Sequence, residues 1–409
     1  MRIVVVGSGG REHALVRRFV REGHTVVGVP GNPGIAQDAG VAPCASNEIP
    51  VLTAACHRER PDLVVVGPEA PLAGGLADEL RARGIATFGP SAAATRLESS
   101  KAFAKAVMRA AHIPTAAFEV VGDEAEIDRV IAMLGGSVAV KADGLWAGKG
   151  VVVCETAGEA RAAARRLLER GRVVIEERLS GPELSVIALT DGERLALLPP
   201  ARDHKRLGDG DRGPNTGGMG AVCPVAIDEA TLAGIRETVL RPAVGWLAQA
   251  EAPFVGALYA GLMLTETGPE VLEFNARFGD PETQAILASI DPSVGLGALC
   301  LEASTGRLAE AVLLASRAAC CVVVASAGYP EAPRKGDPID GLDEARAAGA
   351  EVLHAGTRIE DGRLVSAGGR VLNVVATGES LEEARARANA AAARIRLPGK
   401  QVRTDIGAS

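Results

Sequence analysis

RIVVVGSGGREHALVRRFVREGHTVVGV, residues 2 to 29, reads as strand, glycine turn, helix and strand. The β-branched run at 3–6 meets the glycines at 7, 9 and 10, and a helical pattern runs from about 11 to 22 before the next extended run. The unit then repeats: HTVVGV leads into GNPG, and DLVVV leads into GPEAPL. This alternation predicts a parallel sheet covered by helices, with each turn at the carboxyl ends of the strands, where ligand loops sit. Gly7, Gly9 and Gly10 let an anion approach backbone N–H groups at a helix N-terminus. A dinucleotide fingerprint fits poorly. Glu12 stands where its third glycine would be, and the second strand ends in Gly28, Val29 and Pro30, with no acidic residue for a ribose. Phosphate binding and a plain glycine turn remain the two readings.

At 409 residues the chain exceeds one typical core, so two to four domains are expected. Hydrophobic residues make up 47% and aromatics only 3%, so the cores are built from aliphatic residues, which suits sheets covered by helices. A net charge of -7 without a basic block argues against a nucleic-acid platform. The start of the first strand at residue 3 leaves no room for a signal peptide, and there is no apolar run long enough to span a membrane. The seven cysteines are scattered and lack metal-ligand spacing, so reduced thiols in a cytoplasmic protein are expected.

Residues 91 to 111 read as helical, with Leu97, Lys101 and Lys105 four apart and Pro114 just beyond. Stacked lysines form either a solvated face or a phosphate site. Next, SVAVKADGLWAGKGVVVC (137–154) places Lys141 at the end of a β-prone run, before a turn holding Gly144, Gly148, Lys149 and Gly150. Such a turn can fold over phosphates and offer N–H donors, although the P-loop spacing fails. A helix is expected from 157 to 170, followed by VVIEERL and Glu183, whose carboxylates either hydrogen-bond a nucleotide or end a charged strand. In EVLEFNARFGDPETQ (270–284), period-two alternation puts Glu273, Asn275 and Arg277 on one face. A carboxylate beside an amide oxygen makes a hard-cation pair, and a guanidinium beyond them can hold a carboxylate or phosphoryl group.

Taken in order, GSGGREHA, GPEAPL, KADGLWAGKG, VVIEERL, DHKRLGDGDRGPNTGGMGA, LYAGLML and VLEFNARFGDPETQ, with HAGT at 354–357 and GGRVLNV at 368–374, resemble the phosphoribosylamine-glycine ligase family of the ATP-grasp superfamily over nearly the whole chain. The resemblance implies a multidomain α/β fold. Its parts are an N-terminal parallel α/β domain (1–100), an ATP-grasp core (101–119 and 187–318), a lid subdomain (120–186) and a small C-terminal α/β domain (319–409). It implies ATP-dependent ligation of glycine to 5-phosphoribosylamine with Mg²⁺ or Mn²⁺, in a monomer without nucleic-acid or membrane partners.

Position by position, the resemblance implies that Lys101, Lys141 and the turn at Gly144, Gly148, Lys149 and Gly150 contact ATP phosphates. The backbone of Glu177 and Leu179 recognises adenine, with Glu176 beside it, and Glu183 faces the ribose. Glu273 and Asn275 hold the metal, and Arg277, Lys141 and Asp203 act catalytically. Gly9, Gly10, Arg11, Glu12, Pro68, Glu69, Asp203, Lys205, Asn215, Thr216 and Gly217 form the phosphoribosylamine side, and Asp280 and Glu282 are candidates for the glycine ammonium. Three departures from the family pattern stand out: the short LERGR at 168–172, Trp146 in the phosphate turn, and Arg178 with Leu184 near the adenine hinge. Alternative readings are another ATP-grasp carboxylate-amine ligase and a nucleotide-binding regulatory protein.

Overall fold

The computed structural model describes residues 1–146 and 150–408. Gly148 and Lys149, expected in the glycine turn, lie outside the described residues. The N-terminal sheet runs Gly40–Val41, Thr25–Pro30, Arg2–Gly7, Leu63–Val66, Thr87–Phe88, and all its pairings are parallel. Helices cover both faces, so Ile3 and Val5 enter one apolar cluster while Val4 and Val6 enter another. Strand order reverses between Arg2–Gly7 and Leu63–Val66, and there the turns beginning at Gly7 and Gly67 diverge to leave a crevice.

The central sheet orders Gly268–Asn275, Val255–Thr265, Glu183–Asp191, Leu195–Leu197 and Ala311–Val312. Its long strands bury alternate faces. Ile187 and Leu189 share a cluster with Phe19 and Phe278, while Leu184 and Val186 pack with Val107 and Leu247. The first of these clusters also takes Cys321 and Val375 from the C-terminal sheet, so three units share one continuous core. A separate four-stranded antiparallel sheet, Phe118–Val121, Val173–Glu177, Val138–Ala142 and Val151–Cys154, carries helices Glu124–Met133 and Ala157–Leu168. Its apolar cluster draws only on residues within its own span, making it a body apart.

Sheet membership corrects the expected domain limits. Strand Glu183–Asp191 pairs along its whole length with Val255–Thr265, so residues 183 to 186 belong to the central sheet, not to the small one. Phe118 and Glu119, assigned to the core, pair instead within the small sheet. Arg202–Asp203 and Gly220–Cys223 join the C-terminal sheet through Ala318–Ala325. The helix expected over 91–111 breaks into Ala92–Ser99 and Lys101–Ala110. Ser100 leaves helical backbone to cap the second, its hydroxyl accepting the Phe103 N–H at 3.1 Å, and so sets Lys101 at that helix's first position.

Strand Gly268–Asn275 carries a bulge. Glu273 pairs with Gly261 and Val271 with Leu262, leaving Leu272 as the extra residue. Among the described residues no helix is long and apolar enough to cross a membrane. All seven cysteines are free, and all but Cys44 are buried.

Candidate active site

A cleft of about 750 Å³ lies between the N-terminal turns, the central sheet and the small sheet. Of the residues expected in the site, all those described line it except Gly10. A side-chain carbon on Gly10 would lie 2.0 Å from Asn373 Nδ2, so this glycine is needed for packing of the first helix on the C-terminal sheet. Glu12 also has structural work. Its carboxylate accepts the Gly9 N–H at 2.6 Å and Arg11 Nε at 2.6 Å, and it fills the space over Gly7 and Gly67 that a side chain at either position would occupy. A glycine at 12 would leave that space empty.

The wall beneath the glycine turn is a buried ion triad. Glu176, 2% exposed, receives Lys141 Nζ at 2.5 Å on one oxygen and Lys105 Nζ at 2.5 Å on the other. Burial would raise the Glu176 pKa, but the two ammonium groups together hold it below the ordinary value. Both its oxygens face lysines, while the residue still lines the cleft next to Glu177 and Leu179. Lys141 also donates to the bulged Leu272 carbonyl at 2.8 Å, which ties the small sheet to the central one. Lys101 Nζ donates to the Gly144 carbonyl at 3.0 Å, and burial lowers its pKa.

Burial outweighs Glu176 at Lys105 and brings that ammonium down to about 8. Below this pH the wall carries the additional positive charge, and above it the charge is lost. We therefore expect the KM for an anionic nucleotide to rise severalfold as pH passes from 7 to 9, and Lys105→Met to flatten that rise. Steady-state kinetics across this range check it, and an unchanged profile in the variant would contradict it.

At the expected adenine hinge the Glu177 N–H is taken by the Ala117 carbonyl at 2.8 Å, while the Leu179 N–H has no hydrogen bond among the described residues. Glu183 pairs with Lys205 at 2.6 Å, which links the expected ribose contact to the DHKR motif. On the opposite side Arg277 lies 3.0 Å from Glu98 and 3.5 Å from Glu69. Burial would lower its pKa, but these carboxylates more than offset that, so the guanidinium stays charged. Its expected alignment with Glu273 and Asn275 holds to the extent that all three line the cleft. Arg277 itself lies beyond the strand end, on the turn.

The two acidic candidates in the PET turn differ. Asp280 is neutralised by Arg370 at 2.8 Å and accepts from Gln284 at 2.7 Å. Glu282 is buried, with the Ser185 hydroxyl at 3.1 Å. Asp203 Oδ1 has no hydrogen-bond partner among the described residues, and burial followed by the Glu282 charge pushes the Asp203 pKa well up. A cationic ligand group would relieve both carboxylates. Thr216 returns its N–H and hydroxyl to the Lys205 carbonyl, each at 2.8 Å, which places Asn215 and Gly217 at the cleft wall.

Glu98, Tyr259 and Arg370 also line the cleft, although they were not among the expected site residues, and so does Lys105, which the sequence left between a solvated face and a phosphate site. Glu98 lies in the helical pattern of 91 to 111, where nothing local marks it out from a surface carboxylate. Arg370 offered a signal, since a charged residue opening the apolar run VLNVVA needs a buried partner.

The chain matches the phosphoribosylglycinamide synthetase models for the N domain over residues 1–98, the ATP-grasp (A) domain over 99–283 and the C domain over 319–409. It is 50% identical to the phosphoribosylamine–glycine ligase of Streptomyces coelicolor, covering 100% of this chain and 99% of that one. It is 46% identical to that of Leifsonia xyli, over the full length of both. The crystal structure of the Thermotoga maritima phosphoribosylamine–glycine ligase superposes with a TM-score of 0.88 at 36% identity, covering 99% of this chain and 100% of that one. A biotin carboxylase domain from Hydrogenobacter thermophilus, at 17% identity and a TM-score of 0.75, shares the fold. With all three domains matched in order around this cleft, the chain belongs to the phosphoribosylglycinamide synthetase family, the phosphoribosylamine–glycine ligases.

Proposed function

We propose that the cleft joins glycine to 5-phosphoribosylamine through glycyl phosphate, with the residues divided between a nucleotide half and an acceptor half. The overall reaction is that of the family: ATP-dependent ligation giving glycinamide ribonucleotide in purine synthesis. The observation that carries the division is the pair of uncommitted acidic groups: Asp203 Oδ1 has no hydrogen-bond partner among the described residues and lies close enough to Glu282 for that charge to raise its pKa, while Lys101 and Lys141 stand by Gly144 and Leu272.

Glycine's carboxylate is a poor acceptor because its leaving group would be an oxide. Transfer of the γ-phosphoryl of ATP to that carboxylate makes phosphate the leaving group. The amine of phosphoribosylamine then attacks the acyl carbon and phosphate departs. Negative charge builds on phosphoryl oxygens in both steps, and Lys101, Lys141 and Arg277 are placed to offset it. Asp203 and Glu282 hold the glycine ammonium, and the turn at Gly9, Arg11, Pro68 and Glu69 receives the ribose phosphate side. The Leu179 N–H and the Glu177 backbone hold adenine.

The residues present fit a divalent cation. The half-buried Glu273 carboxylate has no hydrogen bond or ion pair among the described residues, and Asn275 adds a neutral oxygen. Burial would raise the Glu273 pKa, but Lys205, Lys141, Lys101 and Arg277 together hold it down, so it is anionic. Mg²⁺ or Mn²⁺ held by Glu273 and Asn275 would neutralise charge on the β- and γ-phosphates when bound. The protein works as a cytoplasmic monomer on small molecules alone.

Positional isotope exchange tests the two-step course. With ATP labelled at the β,γ-bridging oxygen and glycine as the only other substrate, we expect the label to scramble. Absence of scrambling, in enzyme that forms product once phosphoribosylamine is added, would contradict a freely reversible glycyl phosphate step.

A further inference from the structure

We propose that Asp143 is a positioning residue that holds the turn beginning at Gly144 down on the helix carrying Lys101, with Arg172 bracing it from the outer side. Asp143 does not line the cleft. Its side chain, 13% exposed, lies in the seam between the small sheet and the central body. One oxygen accepts from the Ser100 hydroxyl at 2.9 Å and the Ala102 N–H at 3.2 Å, both at the start of helix Lys101–Ala110. The other receives Arg172 Nη2 at 3.0 Å. Its own N–H donates to the Arg172 carbonyl at 3.0 Å, and its carbonyl accepts Trp146 Nε1 at 3.1 Å.

Asp143 therefore ties together the capping residue of the Lys101 helix, the connection 169–172 and the ring of Trp146. Arg170 adds to the clasp, its guanidinium 5.4 Å from the Trp146 ring centroid. That ring packs on Gly150, where a side-chain carbon would lie 2.7 Å from Trp146 Cγ. The short connection after helix Ala157–Leu168 thus supplies two arginines that grip the turn from outside.

The consequence follows from how the small sheet is attached. Its apolar cluster is its own, so at this edge it meets the central body through polar contacts. Two of these, Lys101 to the Gly144 carbonyl and Lys141 to the Leu272 carbonyl, use ammonium groups that turn to phosphate when nucleotide binds. The Asp143 side-chain contacts, with Ser100, Ala102 and Arg172, use no group that lines the cleft. They can persist through the reaction cycle and keep Lys101 and the turn in register.

This inference rests on the assignment of Lys101 to the ATP phosphates, so Lys101→Ala is measured alongside. Asp143→Ala is expected to raise the KM for ATP about 10- to 100-fold, because loss of register by about 1 Å has effects of that size. The KM values for glycine and phosphoribosylamine should stay within about threefold, as expected of groups whose own contacts are unchanged. Asp143→Asn keeps the oxygen facing Ser100 and Ala102 and loses only the charge on Arg172. It should therefore restore most of the ATP affinity and match Arg172→Ala, each within about fivefold of the parent, the range of an exposed ion pair.

An unchanged KM for ATP in Asp143→Ala, or an equal rise for all three substrates, would overturn the proposal. So would an Asp143→Asn as impaired as Asp143→Ala. If Lys101→Ala weakens ATP and Asp143→Ala does not, the positioning role fails while the phosphate assignment stands. If neither weakens ATP, the phosphate assignment fails with it. Should Asp143→Ala not fold, the Asp143→Asn and Arg172→Ala pair decides, since a loss beyond that range in either contradicts the arrangement.

Discussion

Glu273→Ala lowers turnover at least about a thousandfold while the protein remains folded, because the change removes the anionic member of the Glu273–Asn275 pair proposed to hold the cation that offsets phosphoryl charge. The fold should tolerate it. Glu273 makes no hydrogen bond or ion pair among the described residues, so its loss leaves no buried partner unsatisfied, and the backbone pairing of Glu273 with Gly261 is unaffected. The three nearby lysines keep other partners: Lys141 retains Glu176, Lys205 retains Glu183, and Lys101 retains the Gly144 carbonyl. Turnover at saturating substrates and a far-ultraviolet spectrum of the variant check both halves of the expectation. Full activity at ordinary Mg²⁺ would remove the metal assignment, and a variant that fails to fold would show that Glu273 is structural.

Lys141→Ala comes second. Its ammonium is shared between Glu176 and the Leu272 carbonyl, across the seam between the small and central sheets. Truncation removes a charge proposed to face phosphate, leaves Glu176 with Lys105 alone, and unties the bulge at Leu272. We expect kcat/KM for ATP to fall about 100-fold, with the KM for glycine changed little, since Asp203 and Glu282, the groups proposed to hold glycine, have no contact with Lys141. Lys141→Arg keeps the charge but not the point geometry and should recover only part of the loss. Equal losses toward ATP and glycine would count against a phosphate role. Lys141 is also one of the charges that depress Lys105, so in the variant Lys105 should keep its proton to higher pH, and the rise in the KM for ATP between pH 7 and 9 should be shallower than in the parent.

The N-terminal sheet was legible in the sequence because its strands are continuous β-branched runs separated by glycine turns and helical patterns, all local signals. The cleft was legible as a set of motifs, and nearly every residue taken from those motifs lines it. The partnerships were not legible. Glu176 reads as a strand-end carboxylate, and only the meeting of helix Lys101–Ala110, strand Val138–Ala142 and strand Val173–Glu177 turns it into an anchor for two lysines. The Glu98–Arg277 and Asp280–Arg370 pairs join residues from different domains, which no periodicity announces. The same holds for the pairing of Gly220–Cys223 with Ala318–Ala325, a strand contact across about a hundred residues that moved a domain limit. The bulge at Leu272 was hidden for a different reason: a one-residue insertion in a strand pair depends on both partners, and the alternation of one strand cannot show it.

The most direct test of the account is ADP release by the purified protein with Mg-ATP, glycine and phosphoribosylamine generated in place, each omitted in turn. Sustained release that requires all three, with glycinamide ribonucleotide identified by mass, is the predicted result. ATP binding with no ADP under any combination, or release indifferent to glycine, would contradict it.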